Sequence, residues 1–241
     1  MATRRSTIDQ DESERFAALA DEWWDESGKM APLHRMNPVR LRFLRDQLCA
    51  HFHRAERTKP LQGLRVLDVG CGGGIVCEPL CRLGATVTGI DAVEEILGAA
   101  RAHARAMRLD IDYRRAAAED LDEKFDVVIA LEVVEHVADR ELFLESLCRL
   151  VAPGGALILS TLNRTPRAFA MAIVGAEYVL NWLPRGTHSW SKFVKPSELA
   201  RGLSAHGFRI VELAGMSYDP IARGWSLSRD VAVNYLAFAT R

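Results

Sequence analysis

Residues 64–74 read LRVLDVGCGGG and determine how the rest of the chain is interpreted. The apolar run over 64–70 predicts a buried strand, and the glycines form a tight turn into a short helix over 75–83. Gly70, Gly72 and Gly74 can adopt backbone angles that other residues rarely reach, so a ligand can approach the main chain. Because open α/β sheets bind ligands beyond the carboxyl ends of their strands, we predict a ligand site at this turn.

Strands and helices alternate on either side of this turn. Such alternation predicts an α/β fold, with seven strands in a mostly parallel sheet and helices on both faces. Before the turn, residues 12–26 show a helical pattern. A second helix is predicted to begin at Asn37-Pro38, an N-cap residue followed by proline. We therefore predict one domain, 1–241, with a helical cover within residues 1–60. The other predicted strands are 85–90, 111–115, 125–131, 156–161, 208–215 and 233–240, and the other helices are 93–108 and 139–150.

Composition excludes several classes of protein. Lysine plus arginine number 31 and aspartate plus glutamate number 32, so no broad positive field favours nucleic acid as a partner. The five cysteines include no C-x-x-C pair, which indicates reduced thiols and not a disulfide framework or a zinc finger. We find neither a signal peptide nor an apolar run long enough to span a bilayer, and expect a cytoplasmic protein.

Two carboxylates indicate which ligand the glycine turn holds. Asp91 ends the next strand, 21 residues after Gly70, where a carboxylate can accept both hydrogens of a ribose diol. The glycine spacing is G-x-G-x-G, and Ile75 stands where a dinucleotide fingerprint has its third glycine. Asp68 would place a carboxylate near the ligand, which suits a cationic amino acid better than a pyrophosphate. These features disfavour an NAD-dependent oxidoreductase.

The pattern V-L-D-x-G-C-G-x-G resembles motif I of class I S-adenosylmethionine (SAM) methyltransferases, which implies a Rossmann-like fold. In that resemblance Asp91 matches the acid that binds the ribose. Pro153-Gly154-Gly155 matches the next motif of the family, and Leu131, which ends the fourth strand, would pack on the adenine. The stretch Ala118–Asp120 matches the residues that frame the adenine, which adds Glu119 to the cofactor site. The other cofactor-binding residues that the resemblance implies are Asp68, Gly70, Gly72, Asp91 and Leu131.

The chain more specifically resembles the ubiquinone-biosynthesis O-methyltransferases. This resemblance covers the chain from about residue 12 to the C-terminus. It implies methyl transfer from SAM to 2-polyprenyl-6-hydroxyphenol, 3-demethylubiquinol or both. It also implies that Arg40, Gly70, Asp91 and Leu131 contact SAM. The segments that carry it are Phe16-x6-Trp23-Trp24, Gly28-Lys29-Met30-x2-Leu33-His34-x2-Asn37-Pro38-x-Arg40, Leu131-Glu132-Val133-Val134-Glu135-His136-Val137, Ser160-Thr161-Leu162-Asn163-Arg164-Thr165 and Gly186-Thr187-His188-x-Trp190-x2-Phe193-x2-Pro196-x-Glu198-Leu199.

Glu132, Glu135 and His136 follow the fourth strand and are the candidates for chemistry at the acceptor. If a helix begins there, its spacing places all three on one side. They could bind Mg²⁺ or Zn²⁺, which would lower the pKa of a catechol. Alternatively His136 acts alone as the general base, or the three residues are structural. The family resemblance favours the metal, and His136 with Glu132 are the candidate catalytic residues. His188 lies in a later loop. It is either a further acid–base candidate or a structural residue, and we favour the structural role.

Residues 166–184, within an insert that extends to 190, are apolar with flanking arginines. An interfacial helix against anionic membrane lipid fits this pattern, and so does a lid packed over the active site. The first interpretation places the protein peripherally at the inner face of the membrane, near its polyprenylated substrate and other ubiquinone-pathway enzymes. Two other functions remain open: methylation of another small-molecule hydroxyl, and a non-catalytic scaffold that binds SAM or lipid.

Overall fold

The structure is a computed structural model, which describes residues 5–55, 58–171, 189–219 and 224–241. A central sheet of eight strands lies in these residues, in the order β3-β2-β1-β4-β5-β8-β6-β7. The strands are β1 (Arg65–Val69), β2 (Thr86–Asp91), β3 (Asp112–Arg115), β4 (Phe125–Leu131), β5 (Val151–Leu162), β6 (Arg209–Asp219), β7 (Gly224–Ser228) and β8 (Asn234–Thr240).

The first five strands of this order run parallel, and the chain order reverses between β1 and β4. β8 lies antiparallel between β5 and β6. The connections that leave β1 and β4 cross over in opposite directions. A crevice therefore forms beyond the carboxyl ends of these two strands, where the chain order reverses. The topology therefore places the glycine turn after β1 beside the residues that follow β4.

Helices cover both faces of the sheet, as the sequence predicts. Alternate residues of β4 point to opposite faces: Val127 and Ile129 pack beneath three helices on one face, whereas Val128 and Ala130 pack beneath two helices on the other. Burial on both faces explains why β4 is apolar at nearly every position. The helices are α1 (Gln10–Ala17), α2 (Ala31–His51), α3 (Cys77–Arg82), α4 (Glu94–Ala106), α5 (Arg140–Leu150), α6 (Pro166–Ala168) and α7 (Pro196–Ser204).

The helical cover differs from the prediction in its boundaries. α1 ends at Ala17 and a short 3-10 turn follows at Ala20–Glu22, in place of one helix over 12–26. The prediction that Asn37 caps the second helix is wrong, because α2 begins at Ala31 and Pro38 lies inside it. The Asn37 side chain instead donates from Nδ2 to the carbonyl of Ile75, 2.9 Å away, and so ties α2 to the glycine turn.

The sheet is also larger than predicted. β5 begins at Val151, so Pro153–Gly155, predicted as a turn, lies within the strand, where the pairing of β4 and β5 shifts register between Phe125 and Val127. The segment 224–228, GWSLS, has only two apolar residues, and it forms β7 by pairing with β6, with Tyr218 opposite Trp225. β7 adds an edge strand to the seven predicted.

The 166–190 insert is described only at its ends, 166–171 and 189–190. The interfacial helix predicted at 166–184 therefore lies largely outside the described residues. His188 lies wholly outside them. Among the helices that the structure does describe, none has the length and apolar character of a bilayer span.

Candidate active site

A cavity of about 880 Å³ lies across the carboxyl ends of the strands. That volume is in the range of pockets that enclose small molecules. The glycine turn and the residues after β2 and β4 form its floor, and the helical cover forms its roof. The predicted site residues that line it are Arg40, Asp68, Gly70, Gly72, Asp91, Leu131, Glu132 and His136.

The glycine turn has the backbone geometry that the sequence predicts. Gly70, Gly72 and Gly74 have φ angles of +69°, +53° and +87°, a region that side-chain-bearing residues rarely adopt. The amide of Gly70 donates to the Ile90 carbonyl at 2.8 Å, which ties the turn to the end of β2. A Cβ atom added at Gly72 would overlap the indole of Trp23, so the absence of a side chain lets the cover approach the turn.

Asp91 is held by backbone donors on both sides of its carboxylate. Its Oδ2 accepts from the Gly72 amide and its Oδ1 accepts from the Val93 amide, each at 3.0 Å. Burial raises the pKa of Asp91, and these backbone hydrogen bonds oppose that rise. The carboxylate is thus fixed in orientation at the cavity wall, where the sequence places the ribose-binding acid.

Asp68 and Arg40 bring opposite charges to the same buried region. Asp68 is 3% exposed, and burial raises its pKa to about 7, although Cys77 Sγ donates to its Oδ2 at 3.2 Å. Arg40 is 4% exposed, and its Nη2 lies 3.1 Å from Glu132 Oε1. The buried Nε of Arg40 has no hydrogen-bond partner in the described part of the chain. A guanidinium with an unused donor at a cavity wall is suited to bind a carboxylate.

Glu132 and Glu135 are each held by a hydroxyl of β5. Glu132 has a φ of +56°, and its Oε1 accepts from Ser160 Oγ at 2.7 Å. Glu135 is buried, and its Oε2 accepts from Thr161 Oγ1 at 2.9 Å. Burial and the neighbouring charge of Glu132 raise the pKa of Glu135 to about 7. Two adjacent hydroxyls of β5 therefore each hold one of the carboxylates.

His136 contacts the first helix of the cover. Its Nδ1 lies 3.3 Å from Glu12 Oε2, and the ring of Phe16 meets the imidazole edge to face with centroids 5.3 Å apart. Burial disfavours the charged imidazole, but the hydrogen bond to Glu12 and the charge of Glu135 outweigh it and raise the pKa of His136. The same contact, with Lys192, lowers the pKa of Glu12 to about 2 despite partial burial.

The structure does not gather Glu132, Glu135 and His136 into the predicted Mg²⁺ or Zn²⁺ site. Each of the three side chains is bonded to a different partner, respectively Ser160, Thr161 and Glu12. Within residues 5–55, 58–171, 189–219 and 224–241, no three His, Cys, Asp or Glu side chains are grouped to hold a metal ion. The part of the prediction that invokes a metal is therefore unsupported.

Glu119 does not line the cavity, unlike the other predicted cofactor residues. Its Oε1 accepts from the Thr7 amide at 2.8 Å and its Oε2 accepts from the Thr7 hydroxyl at 2.7 Å. The wall at this place is formed by the preceding residues, Ala116–Ala118. The structure therefore uses the Glu119 carboxylate to hold the N-terminal segment.

Sequence reasoning did not single out Glu12, Thr7 or Lys192 as parts of the site. Glu12 is one of several acidic residues near the start of α1, and no spacing distinguishes it from Asp11 or Glu14. Its contacts join segments more than a hundred residues apart in the chain, and only the fold brings them together.

We expect Gly72→Ala to weaken binding of S-adenosylhomocysteine (SAH), measured by calorimetry, by about tenfold or more. The new Cβ would displace Trp23, and the positive φ costs roughly 1–2 kcal/mol for an alanine. Gly98→Ala is the matched control, because a Cβ on this residue of α4 meets nothing within 4 Å. The control should keep the affinity and stabilise the fold by about 0.5–1 kcal/mol. Equal affinity in wild type and Gly72→Ala would contradict this account of the turn.

Comparison with known proteins agrees with this geometry. Residues 40–213 match a family model described as a methyltransferase domain. The ubiquinone biosynthesis O-methyltransferase of Azorhizobium caulinodans is 54% identical, over 97% of this chain and 94% of the relative. That of Brucella anthropi is 50% identical, over 99% of this chain and 98% of the relative.

Solved structures of lower identity share the fold. Magnesium protoporphyrin IX methyltransferase from Synechocystis PCC 6803 with bound SAM is 20% identical and has a TM-score of 0.63. The match covers 99% of this chain and 100% of the chain of that enzyme. Its complex with SAH, 21% identical over 96% of this chain and 93% of its own, has a TM-score of 0.64. The solved structures show the fold, and the relatives that match nearly its whole length show that the chain belongs to the ubiquinone biosynthesis O-methyltransferase family.

Proposed function

We propose that this enzyme transfers a methyl group from SAM to a ring hydroxyl of 2-polyprenyl-6-hydroxyphenol, of 3-demethylubiquinol, or of both. The observation that carries the proposal is one cavity that joins three regions. The glycine turn and Asp91 lie in the first, His136 in the second, and an apolar wall from β6 and β7 in the third. The names of the full-length relatives support this class of acceptor.

The residues of the first region fit SAM. Asp91 would accept hydrogen bonds from the ribose hydroxyls, and Leu131 would pack on the adenine. Arg40, with its unused buried Nε, would bind the carboxylate of the methionine part, and Asp68 would face its ammonium group. SAM supplies an activated methyl group on a sulfonium, which leaves deprotonation and alignment of the acceptor to the protein.

The third region fits a prenylated ring. Its lining is apolar and includes Leu162, Met171 and Val233, together with the aromatic rings of Tyr218 and Trp225. Those two rings lie opposite each other on the β6–β7 pair, tilted by 53°, with centroids 5.4 Å apart. Burial of an apolar chain against such a wall is favourable by about 25 cal/mol per Å². An acceptor that enters from this side would present its ring hydroxyl to His136.

His136 would act as the general base at the acceptor hydroxyl. An imidazole is suited to this step because it accepts and releases a proton near neutral pH. Glu132 would act indirectly, since it holds Arg40 and is itself held by Ser160.

The test is a labelled-methyl transfer assay with short-chain forms of both proposed acceptors, beside catechols that lack a prenyl chain. We expect the prenylated acceptors to be preferred. His136→Gln should lower kcat by about 10²–10⁴-fold, the usual contribution of a general base, with SAH affinity unchanged. An unchanged kcat would rule out His136 as the base. Equal turnover of unrelated catechols would favour another small-molecule substrate, and SAM binding without turnover would favour a scaffold.

We further propose that the insert contacts anionic membrane lipid from the cytoplasmic side. Three large apolar side chains that flank its undescribed part are exposed: Phe169 at 44%, Met171 at 51% and Trp190 at 41%. Aromatic residues in such a position favour the interface of a bilayer. Association with other enzymes of the pathway stays a prediction.

Flotation with vesicles that contain phosphatidylglycerol tests the membrane proposal. We expect wild type to float, and Phe169→Ser with Trp190→Ser to reduce the floated fraction several-fold, because apolar area at the interface is lost. Val211→Ser is the matched control, since Val211 is 53% exposed on β6, away from the insert in sequence. Failure of wild type to float, or an equal loss in all variants, would contradict the proposal.

A further inference from the structure

Asn234 is the only carboxamide side chain among the described residues that line the cavity. It is the first residue of β8 and is 6% exposed. In the sheet it pairs with Leu162, the last residue of β5, at the edge that the cavity crosses. An asparagine is rarely buried to this extent unless its amide is hydrogen-bonded. Each polar atom of this side chain therefore calls for a partner.

The oxygen of the Asn234 amide is used by the fold. The pairing of β6 with β8 ends at Ala214 and Leu236. Two residues farther along β6, the backbone amide of Met216 donates to Asn234 Oδ1 at 2.8 Å. A backbone N–H can only donate, so the atom that it meets is the side-chain oxygen and not the nitrogen. This bond fixes which way the amide is turned.

The nitrogen of the same amide is left for a ligand. Asn234 Nδ2 carries two N–H donors, and no residue in the described part of the chain accepts a hydrogen bond from it. A donor that is shielded from water and has no acceptor costs free energy. Because Asn234 lines the cavity, a molecule bound there can supply the acceptor that the protein does not.

Asn234 lies in the part of the cavity that fits the prenylated ring. Its strand partner Leu162 and its chain neighbour Val233 belong to the apolar wall of that region. In the sheet order β4-β5-β8, Asn234 is two strands away from the residues that follow β4. At the usual spacing of neighbouring strands this separation is roughly 10 Å. An aromatic ring bound between them would have one substituent near the end of β4 and another near Asn234.

We propose that Asn234 is a specificity residue for the acceptor: its Nδ2 donates a hydrogen bond to the ring oxygen on the carbon next to the methylated hydroxyl. The inference rests on the proposed function, which places the acceptor ring in this region. Both proposed acceptors carry such an oxygen, since 2-polyprenyl-6-hydroxyphenol has two hydroxyls on adjacent carbons and the ring of 3-demethylubiquinol has oxygens on neighbouring carbons. A fixed donor in an apolar pocket orients such a ring and rejects analogues that lack the oxygen.

The experiment measures how tightly ring analogues bind to the SAH-bound enzyme, by calorimetry. The ligands are four derivatives of a short-chain prenylated catechol, in which either hydroxyl is replaced by a methoxy or by an ethyl group. Methoxy and ethyl match in size, and the methoxy oxygen accepts a hydrogen bond but cannot donate one. At one of the two positions we expect wild type to bind the methoxy compound about tenfold more tightly than the ethyl compound, because only the methoxy oxygen pairs with Nδ2.

Two variants test whether Asn234 is the source of this preference. Asn234→Leu removes both halves of the amide, whereas Asn234→Asp keeps an oxygen for the Met216 amide and loses the donor. Both should bind the methoxy and ethyl compounds about equally at that position, with SAH affinity unchanged. Thr240→Val is the matched control, because Thr240 is 8% exposed at the opposite end of β8 and does not line the cavity. It should keep the wild-type preference.

The outcomes separate this inference from the proposed function. If wild type methylates neither proposed acceptor, both fail. If wild type methylates them but does not prefer methoxy over ethyl at either position, or if Asn234→Asp keeps the preference, only the role of Asn234 fails. A preference that is lost in Thr240→Val as well would also overturn that role, because the loss would then follow from any change in β8. If Asn234→Leu does not fold, Asn234→Asp decides alone, since it retains the acceptor for Met216.

Discussion

The hydrogen bond from the Gly72 amide to the Asp91 carboxylate joins the two structural features on which the rest of the site depends. It links a turn that requires positive φ angles to the carboxyl end of the neighbouring strand. The chain can make this turn because glycine adopts positive φ angles without a steric cost. A carboxylate fixed by two backbone donors loses little further entropy when it binds a ligand, so the site is formed before the ligand arrives.

The sheet order places the other functional groups around this bond. β4 lies next to β1, so Glu132 and His136 emerge beside the glycine turn, and β5 supplies the hydroxyls that orient Glu132 and Glu135. The helical cover closes the cavity from above with Trp23 and brings Glu12 to His136. Sheet and cover thus both line the cavity: the sheet supplies the glycine turn and Asp91, and the cover supplies Trp23 and Arg40.

The sequence predicted the sheet and most of the residues that line one cavity, because these depend on local signals. Apolar strand patterns, glycine spacing and the acid at the end of β2 are visible within a few residues of one another. The start of α2 was missed because tertiary packing keeps Pro38 inside a helix, where its local signal indicates the first turn. The environments of Glu119 and Glu135 were also missed. Their partners, Thr7 and Thr161, are distant in sequence, and no local pattern records such pairs.

The most direct test of the central claim is a calorimetric titration of SAH into wild type, Asp91→Ala and Asp91→Asn. The account predicts that wild type binds and that Asp91→Ala binds at least about tenfold more weakly, since hydrogen bonds to a charged group contribute roughly 1.5–3 kcal/mol. Asp91→Asn, which keeps an acceptor for the Gly72 amide, should fall between the two. No heat of binding in wild type, or the same affinity in all three proteins, would contradict the claim that this carboxylate holds the ribose of the methyl donor.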